Sequence, residues 1–441
     1  MSTSWLFYDV ESSDLNKVFG QILQFAAIRT DEDFNEIECH EFFVRLNRDT
    51  LPSPDAVLVH RLLPENLTKG KTEYEALKTI HALVNQPGTM NGGYNTLGYD
   101  DDVLRFGFYR NFLTPYTHGF AGGCKRFDLF PMLMYYYYDG FRDIVWPEKE
   151  GKVSLKLENL NEVNGWVDGM AHDALVDVRV CVALAKAMAK DQDRWSEVFR
   201  CLYERNFKPG ACAIYLSALI GSKSNFAAPV MCVGQNKAVK NTTYWLRLNQ
   251  CDFSENGLSE QSLLRKKIPD TALIVSKNES YFEDDLVQAN LAWINQNKDQ
   301  WQAFVEQIIN QTLEPIEAID VDAALYQSSF FTDDEVHYMS KLHKSNPSQW
   351  LGMSGCSKRL FPMIVKWLWR HEWSSLSPET MSMAVDLALN PGLDFQGKPK
   401  TTYVERLQRI DELININENN QENLIMLKKL KHYYVSFLNI Y

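Results

Sequence analysis

The first 190 residues alternate between extended apolar runs and polar interruptions. Residues 5–11 (WLFYDVE), 21–30 (QILQFAAIRT) and 36–46 (EIECHEFFVRL) are rich in β-branched and aromatic side chains and are separated by Asp, Asn and Ser, which predicts three sequential antiparallel strands. At 72–86 the period lengthens: Tyr74, Leu77, Ile80, His81 and Val84 share a helical face, with Thr72 as N-cap and Pro87-Gly88 as the stop. A Gly-rich stretch (90–95) precedes a further helical pattern at 101–112, and 154–165 and 172–190 predict two more helices. This βββαβα order predicts an α/β domain over 1–190, a mixed sheet flanked by helices. The four consecutive Tyr at 135–138 predict a partly buried helix surface. From 193 the texture changes. Short strand-like runs at 212–219, 228–233, 242–248 and 271–276 and a helical stretch at 285–310 predict a small β-barrel-like domain with appended helices over 193–314. Beyond Pro315 the pattern is helical (357–372, 377–390, 401–414, 420–438), which predicts an all-helical domain over 316–441.

Composition narrows the class. A chain of 441 residues, 45% hydrophobic and 23% charged, is ordinary globular material with length for two or three cores. No run reaches the roughly 18 apolar residues of a membrane span, and the opening lacks the basic and apolar regions of a signal peptide, so a cytoplasmic protein without a membrane partner is expected. Eight Cys lie scattered without a CxxC pair, as reduced thiols do. The net charge of −12 argues against a generic nucleic-acid coat. It conceals an asymmetry: residues 1–190 carry 19 Lys and Arg against 27 Asp and Glu, net −8, whereas 193–282 carry 12 against 8, net +4. That excess is either ordinary scatter or a surface for an anionic partner.

Four acids and one His stand out within the acidic first domain. Asp9 and Glu11 form a DxE on the first predicted strand, and period two sends both to one face, where they can share a metal ion. A carboxylate on a core strand is costly unless it is paired or coordinates a metal. Asp100 heads the run Asp100–Asp102 at a helix entrance, where acids serve equally well as caps. His172, the only His followed by Asp at the fifth position (Asp177), opens the helix at 172–190, either as a loop residue that swings toward substrate or as a surface cap.

Taken in order, DxE on strand one, YN-x3-YD before a helix and HDA-x2-D opening a helix resemble the three motifs of the DEDDh superfamily, the DnaQ-like 3'-5' exonucleases. The resemblance extends to the bacterial exodeoxyribonuclease I family through FYDVES (7–12), QFAAIRTD (24–31), residues 51–67, YDDDVLRFGFYRNF (99–112), RFDLF (126–130), WPE (146–148), SLKLENLNEVNG (154–165) and AHDALVDV (171–178). It continues more faintly through 320–335 into the helical end. It implies an RNase H-like α/β exonuclease domain, an SH3-like β-barrel domain and a helical C-terminal domain. It further implies 3'-5' degradation of single-stranded DNA to 5'-mononucleotides, in DNA repair and recombination, by two Mg²⁺ ions for which Mn²⁺ substitutes.

By the same resemblance Asp9 bridges both ions, Glu11 and Asp177 complete one, Asp100 holds the other, and His172 takes the proton of the attacking water. Glu11 also touches the terminal 3'-OH, and Lys156 holds the DNA. Arg265, Lys266 and Lys267, the densest basic run, supply part of a phosphate track or else form a solvated turn. Single-stranded DNA-binding protein is implied as a partner through its acidic tail, and the chain is expected to be a monomer. Three positions depart from the family pattern: Ser12 where Thr is usual, MNGG (90–93) where a more apolar strand is usual, and Lys156 where Arg is usual. Two competing readings are an RNA-trimming or proofreading DEDDh enzyme and a non-catalytic nucleic-acid-binding protein on a degenerate nuclease fold.

Overall fold

The computed structural model of the chain describes residues 3–169, 173–312, 315–389 and 392–438. Strands β1 (Ser4–Ser12), β2 (Ile22–Thr30) and β3 (Glu36–Phe43) form the antiparallel meander that their patterns predict. A fourth strand, β4 (Thr89–Gly92), runs parallel to β1, with the two-residue β5 (Lys125–Arg126) beyond it, giving the order β3-β2-β1-β4-β5. The glycines that disguise β4 in the sequence are what its packing requires. A Cβ on Gly92 would lie 2.4 Å from the Phe127 carbonyl oxygen, and one on Gly93 would lie 2.4 Å from that of Tyr8.

Helices cover both faces of this sheet. Helix α1 (Glu73–Val84) opens with a capping box in which Thr72 and Glu75 satisfy each other's backbone N–H groups. With α2 (Asp100–Arg110) it packs on the face made by Leu6, Tyr8, Val10, Phe25 and Ala27. The opposite face, with Phe7, Ala26 and Ile28, lies under α3 (Leu129–Tyr138) and α5 (Ala174–Met188). Between these two, α4 (Leu157–Asn164) ends at Gly165, whose left-handed backbone (φ 61°) closes the helix. Helix α6 (Gln192–Tyr203) follows, with Trp195 and Phe199 at 5.8 and 5.5 Å from the Trp5 ring.

The second sheet is antiparallel throughout, in the order β9-β8-β7-β6-β10: β6 (Cys212–Leu216), β7 (Ala227–Gln235), β8 (Thr242–Arg247), β9 (Leu263–Lys267) and β10 (Leu273–Val275). Strand β9 was not legible in the pattern, because three of its five residues are basic. The predicted helix at 285–310 is two helices, α7 (Asp285–Gln296) and α8 (Lys298–Ile309), meeting at Asn297. One apolar core runs without a break from Phe7 and Ala26 through α3, α5 and α6 into β6, β7, α7 and α8. The Tyr run 135–138 lies along this seam. Tyr136 is buried and donates to the Met188 carbonyl at 2.8 Å, Tyr137 meets Phe226 at 5.8 Å, and Tyr138 meets Tyr281 at 5.9 Å.

Residues 316–332 are turns around a short 3-10 helix rather than the helix expected of everything beyond Pro315. The remainder is helical, including α9 (Leu360–His371), α10 (Tyr403–Ile416) and α11 (Gln421–Leu438). An ionic cluster joins this region to the first domain: Lys366 donates to Asp320 at 2.8 Å and sits 3.0 Å from Asp322, while Arg370 donates to Asp322 at 2.5 Å and to Asp49 at 2.7 Å. Among the described residues no helix is long and apolar enough to cross a membrane.

Candidate active site

Trp5, Phe7, Asp9 and Glu11 form one row along β1, facing α5, and the row turns from apolar to acidic as it leaves the core. Helix α5 begins at Asp173, whose carboxylate accepts from the Leu175 and Val176 N–H groups at 3.1 and 3.3 Å. One turn later it brings down Asp177. Carboxylate oxygens of Asp9, Glu11 and Asp177 all lie within 4.8 Å of one another, and the three side chains are half-buried. Burial first, and then the charges of Asp177 and Asp173, push the Asp9 carboxyl far above its ordinary range. Glu11 is pushed up by burial and by Asp9.

Asp100 joins from the opposite face of the sheet. The parallel ladder between β1 and β4 stops at Phe7 and Gly92, and further along β1 the Val10 N–H is taken by the Asp100 carboxylate at 3.2 Å. The three acids of the run 100–102, equivalent as helix caps, have different fates. Asp101 is buried against Arg105 at 3.2 Å, Arg126 at 2.5 Å and His118 at 2.8 Å, and the two guanidinium groups with the His118 hydrogen bond hold its carboxyl far below the usual range against the opposing effect of burial. Asp102 pairs with Lys17 at 2.5 Å and accepts from the Tyr326 hydroxyl. Asp100 has no ion-pair partner among the described residues, and burial together with Asp9 drives its carboxyl upward.

Four acids thus converge, and among the described residues Asp9, Glu11 and Asp100 make no ion pair. Clustered, desolvated and mutually repelling carboxylate oxygens suit a hard divalent cation, and the absence of Cys from the group disfavours a soft one. Ser12, the first departure from the family pattern, keeps a hydroxyl where one is used: it donates to the Asp14 carbonyl at 2.9 Å and lies 2.5 Å from the Tyr99 hydroxyl. Asp14 was not singled out from sequence, and Tyr99 and Asp173 stood there as members of the YN-x3-YD and HDA-x2-D motifs without a role of their own.

The expected basic residues, Lys156 and the run 265–267, do not join this cluster. His172 lies outside the described residues. Lys156 occupies the N-cap position of α4, its side chain 74% exposed and 3.8 Å from Glu158. The basic run at 265–267 is corrected in part. It is neither a turn nor three equivalent contacts, because β9 is the edge strand of the second sheet and its side chains alternate. Arg265 and Lys267 are exposed, and Lys267 feels the charges of Asp102 and Lys17 at the mouth of α2. Lys266 is 0% exposed, donates to the Lys267 carbonyl at 3.0 Å and has its pKa lowered to about 8 by burial, so it cannot reach a phosphate.

Comparison with known proteins matches both ends of the chain. Residues 6–185 fit the Exonuclease family model and residues 319–437 fit the Exonuclease I C-terminal domain model. Exodeoxyribonuclease I of Haemophilus influenzae is 27% identical over 477 residues, with 99% of each chain covered. The zinc-bound form of the Escherichia coli ExoI–ssDNA complex superposes with a TM-score of 0.86 at 22% identity, over 99% of this chain and 100% of that one. An SSB/exonuclease I structure in complex with the inhibitor CFAM gives 0.84 at 22% identity over the same shares. With the acids of all three motifs on one cleft, a C-terminal domain of the matching kind and an end-to-end relative, the chain belongs to the exodeoxyribonuclease I family.

Proposed function

We propose that the chain is a 3'-5' exonuclease that degrades single-stranded DNA to 5'-mononucleotides, with two Mg²⁺ ions, or Mn²⁺ in their place, held by Asp9, Glu11, Asp100 and Asp177. The observation that carries this reading is the convergence of four carboxylates from β1, α2 and α5 on one cleft, where burial and mutual repulsion push Asp9, Glu11 and Asp100 upward. Bound there, divalent ions supply a lowered pKa for an attacking water and a counter-charge for the leaving oxygen. The protein's own part is positional. Asp9, central in the cluster, would be the residue common to the ion-holding acids. Glu11, one step further out on the strand, also meets the terminal 3'-OH. His172, just before the α5 cap, takes the proton of the attacking water, a task its ordinary pKa near neutrality suits. Lys156 is free to swing toward a phosphate, and Arg265 and Lys267 offer two more cations on the edge of the second sheet.

Single-stranded DNA is the proposed substrate and SSB, the single-stranded DNA-binding protein, the proposed partner, in keeping with the complexes formed by the exonuclease I relatives. A cytoplasmic role in DNA repair, carried out by a monomer, completes the reading. The deciding experiment offers 3'-labelled and 5'-labelled single-stranded DNA, duplex DNA and RNA, with Mg²⁺ or with EDTA. Rapid release of labelled mononucleotide from the 3' end of single-stranded DNA alone, abolished by EDTA, is the expected result. Preference for RNA, or no cleavage with Mg²⁺, would overturn the reading.

A further inference from the structure

The geometry points to Arg406, on the C-terminal helix α10, as a positioning residue for the carboxylate site, acting through Asp14; the inference rests on the metal-dependent reading above. Arg406 is buried and its guanidinium donates to the Asp14 carboxylate, also buried, across 392 positions of chain. The same Asp14 presents its backbone carbonyl to two hydroxyls, Ser12 Oγ at 2.9 Å and the phenol of Tyr99. Those two residues directly adjoin site acids: Ser12 follows Glu11 and Tyr99 precedes Asp100.

Strand pairing does only part of this work. Glu11 still pairs with Gln24, but the β1–β2 register shifts between Glu11 and Ser12, and the β1–β4 ladder has already ended at Phe7. Beyond that point the bond from the Val10 N–H to Asp100 and the Ser12–Asp14–Tyr99 knot tie the Asp100 helix to β1. Among the described residues, Arg406 is the cation paired with Asp14. A second contact from the C-terminal region holds the same loop: Asn16 donates through its amide to Asp394 at 3.1 Å, while its N–H bonds the other Asp14 oxygen at 2.9 Å. Groups one shell out from metal ligands orient them, and their loss typically lowers metal affinity or activity by about 10- to 100-fold.

The test uses the full chain with Arg406→Met, Arg406→Lys, Asp14→Asn and the double variant Asp14→Asn/Arg406→Met. Mn²⁺ binding is measured by calorimetry beside Mg²⁺-dependent cleavage and binding of single-stranded DNA in EDTA. Arg406→Met is expected to weaken Mn²⁺ binding and lower kcat by about 10-fold or more, with DNA affinity within about twofold of the parent. Arg406→Lys should restore most of the loss, and the double variant should be no worse than the single ones, because they break one chain of contacts. A folded Arg406→Met protein with parental Mn²⁺ affinity and kcat would overturn the proposal, leaving Arg406 as a domain pin. Should that variant fail to fold, Tyr99→Phe carries the test, and parental Mn²⁺ affinity in it overturns the relay. A parent that binds Mn²⁺ but cleaves no DNA would sink the nuclease reading while the relay is still decided by the affinities.

Discussion

Two groups of buried acids in this chain are treated in opposite ways. At the junction of the first and C-terminal domains, Asp49, Asp320 and Asp322 meet Lys366, Arg370 and Lys400, and the cations hold the Asp49 and Asp322 carboxyls far below their ordinary range in spite of burial. In the cleft, Asp9, Glu11, Asp100 and Asp177 meet mainly one another, and the first three are driven upward. Both groups are carboxylates, and burial pushes both upward. What differs is the company: cations of the chain surround the first group, whereas the second is set mainly among like charges, and that separates a fastening from a seat suited to a metal ion.

Substitutions should break the two groups differently. Asp9→Ala or Asp177→Ala is expected to lower Mg²⁺-dependent turnover by several orders of magnitude without lowering the melting temperature, since removing one of several repelling charges relieves strain. Cleavage at a near-parental rate by either variant would remove the metal assignment. Replacing His172 by Ala is a milder change, about 10² to 10⁴ in rate with strand binding retained, and an unaltered acidic limb in its pH–rate profile would make His172 a bystander.

The converse holds at the junction. Asp322→Asn removes the carboxylate that Lys366 and Arg370 share, leaving the first with Asp320 and the second with Asp49, and should cost about 1–3 kcal/mol of stability, measured by denaturant unfolding, with activity retained in the folded fraction. Within the run 100–102 the same contrast is compressed into neighbours: Asp100→Asn should be stable and inactive, Asp101→Asn unstable and active when folded. If those outcomes are exchanged, the ligand has been assigned to the wrong acid.

Titration sharpens the comparison further. An acid whose folded pKa is raised binds its proton more readily folded than unfolded, so the metal-free protein should gain stability as pH falls from about 8 toward the ordinary carboxylate range near 4. Acids with depressed folded pKa values act in reverse: their contribution is complete above that range and is lost as pH falls below it. The metal-free melting temperature should therefore peak between the two regimes. The alkaline slope should flatten in Asp9→Ala, and Mg²⁺ at a hundredfold excess over its Kd should restore about 2.7 kcal/mol at pH 8 to the parent. A slope unchanged by both would mean that the cleft acids are ordinary solvated groups.

The smallest effect concerns the edge strand. Arg265→Ala and Lys267→Ala should each lower the salt slope of single-stranded DNA binding by about one, while Lys266→Met should leave it untouched. A loss in Lys266→Met equal to that of its neighbours would contradict the alternation of β9.

The pattern of the chain made the DxE strand legible because period two needs no tertiary information: an acid pair on an apolar strand declares its own face. Asp177 was picked out by its spacing from His172 and by the HDA-x2-D resemblance. The choice among Asp100, Asp101 and Asp102 was not legible, since any acid satisfies a helix N-terminus. The decision was made by Lys17, Arg105, His118, Arg126 and Tyr326, most of them remote in sequence. Strand β9 was missed for a related reason. A Lys inside a sheet looks like any other Lys until its neighbours on β8 are known. Strand β4 was legible only as a Gly-rich stretch between two helical patterns, because close backbone approach selects glycine, which composition reads as a loop.

The unbroken core from β1 into β6 and β7 also bears on how such a protein can be rebuilt. Helix α3 rests on β6 and β10 as well as on the first sheet, and α6 shares its apolar side between Trp5 and the second sheet. The first 190 residues are therefore not a portable cassette. Cut there, they would carry an oily scar where Tyr136–Tyr138 once met the second sheet and its loops, and grafting this nuclease onto another chain would need either the whole length through α8 or a resurfaced α3.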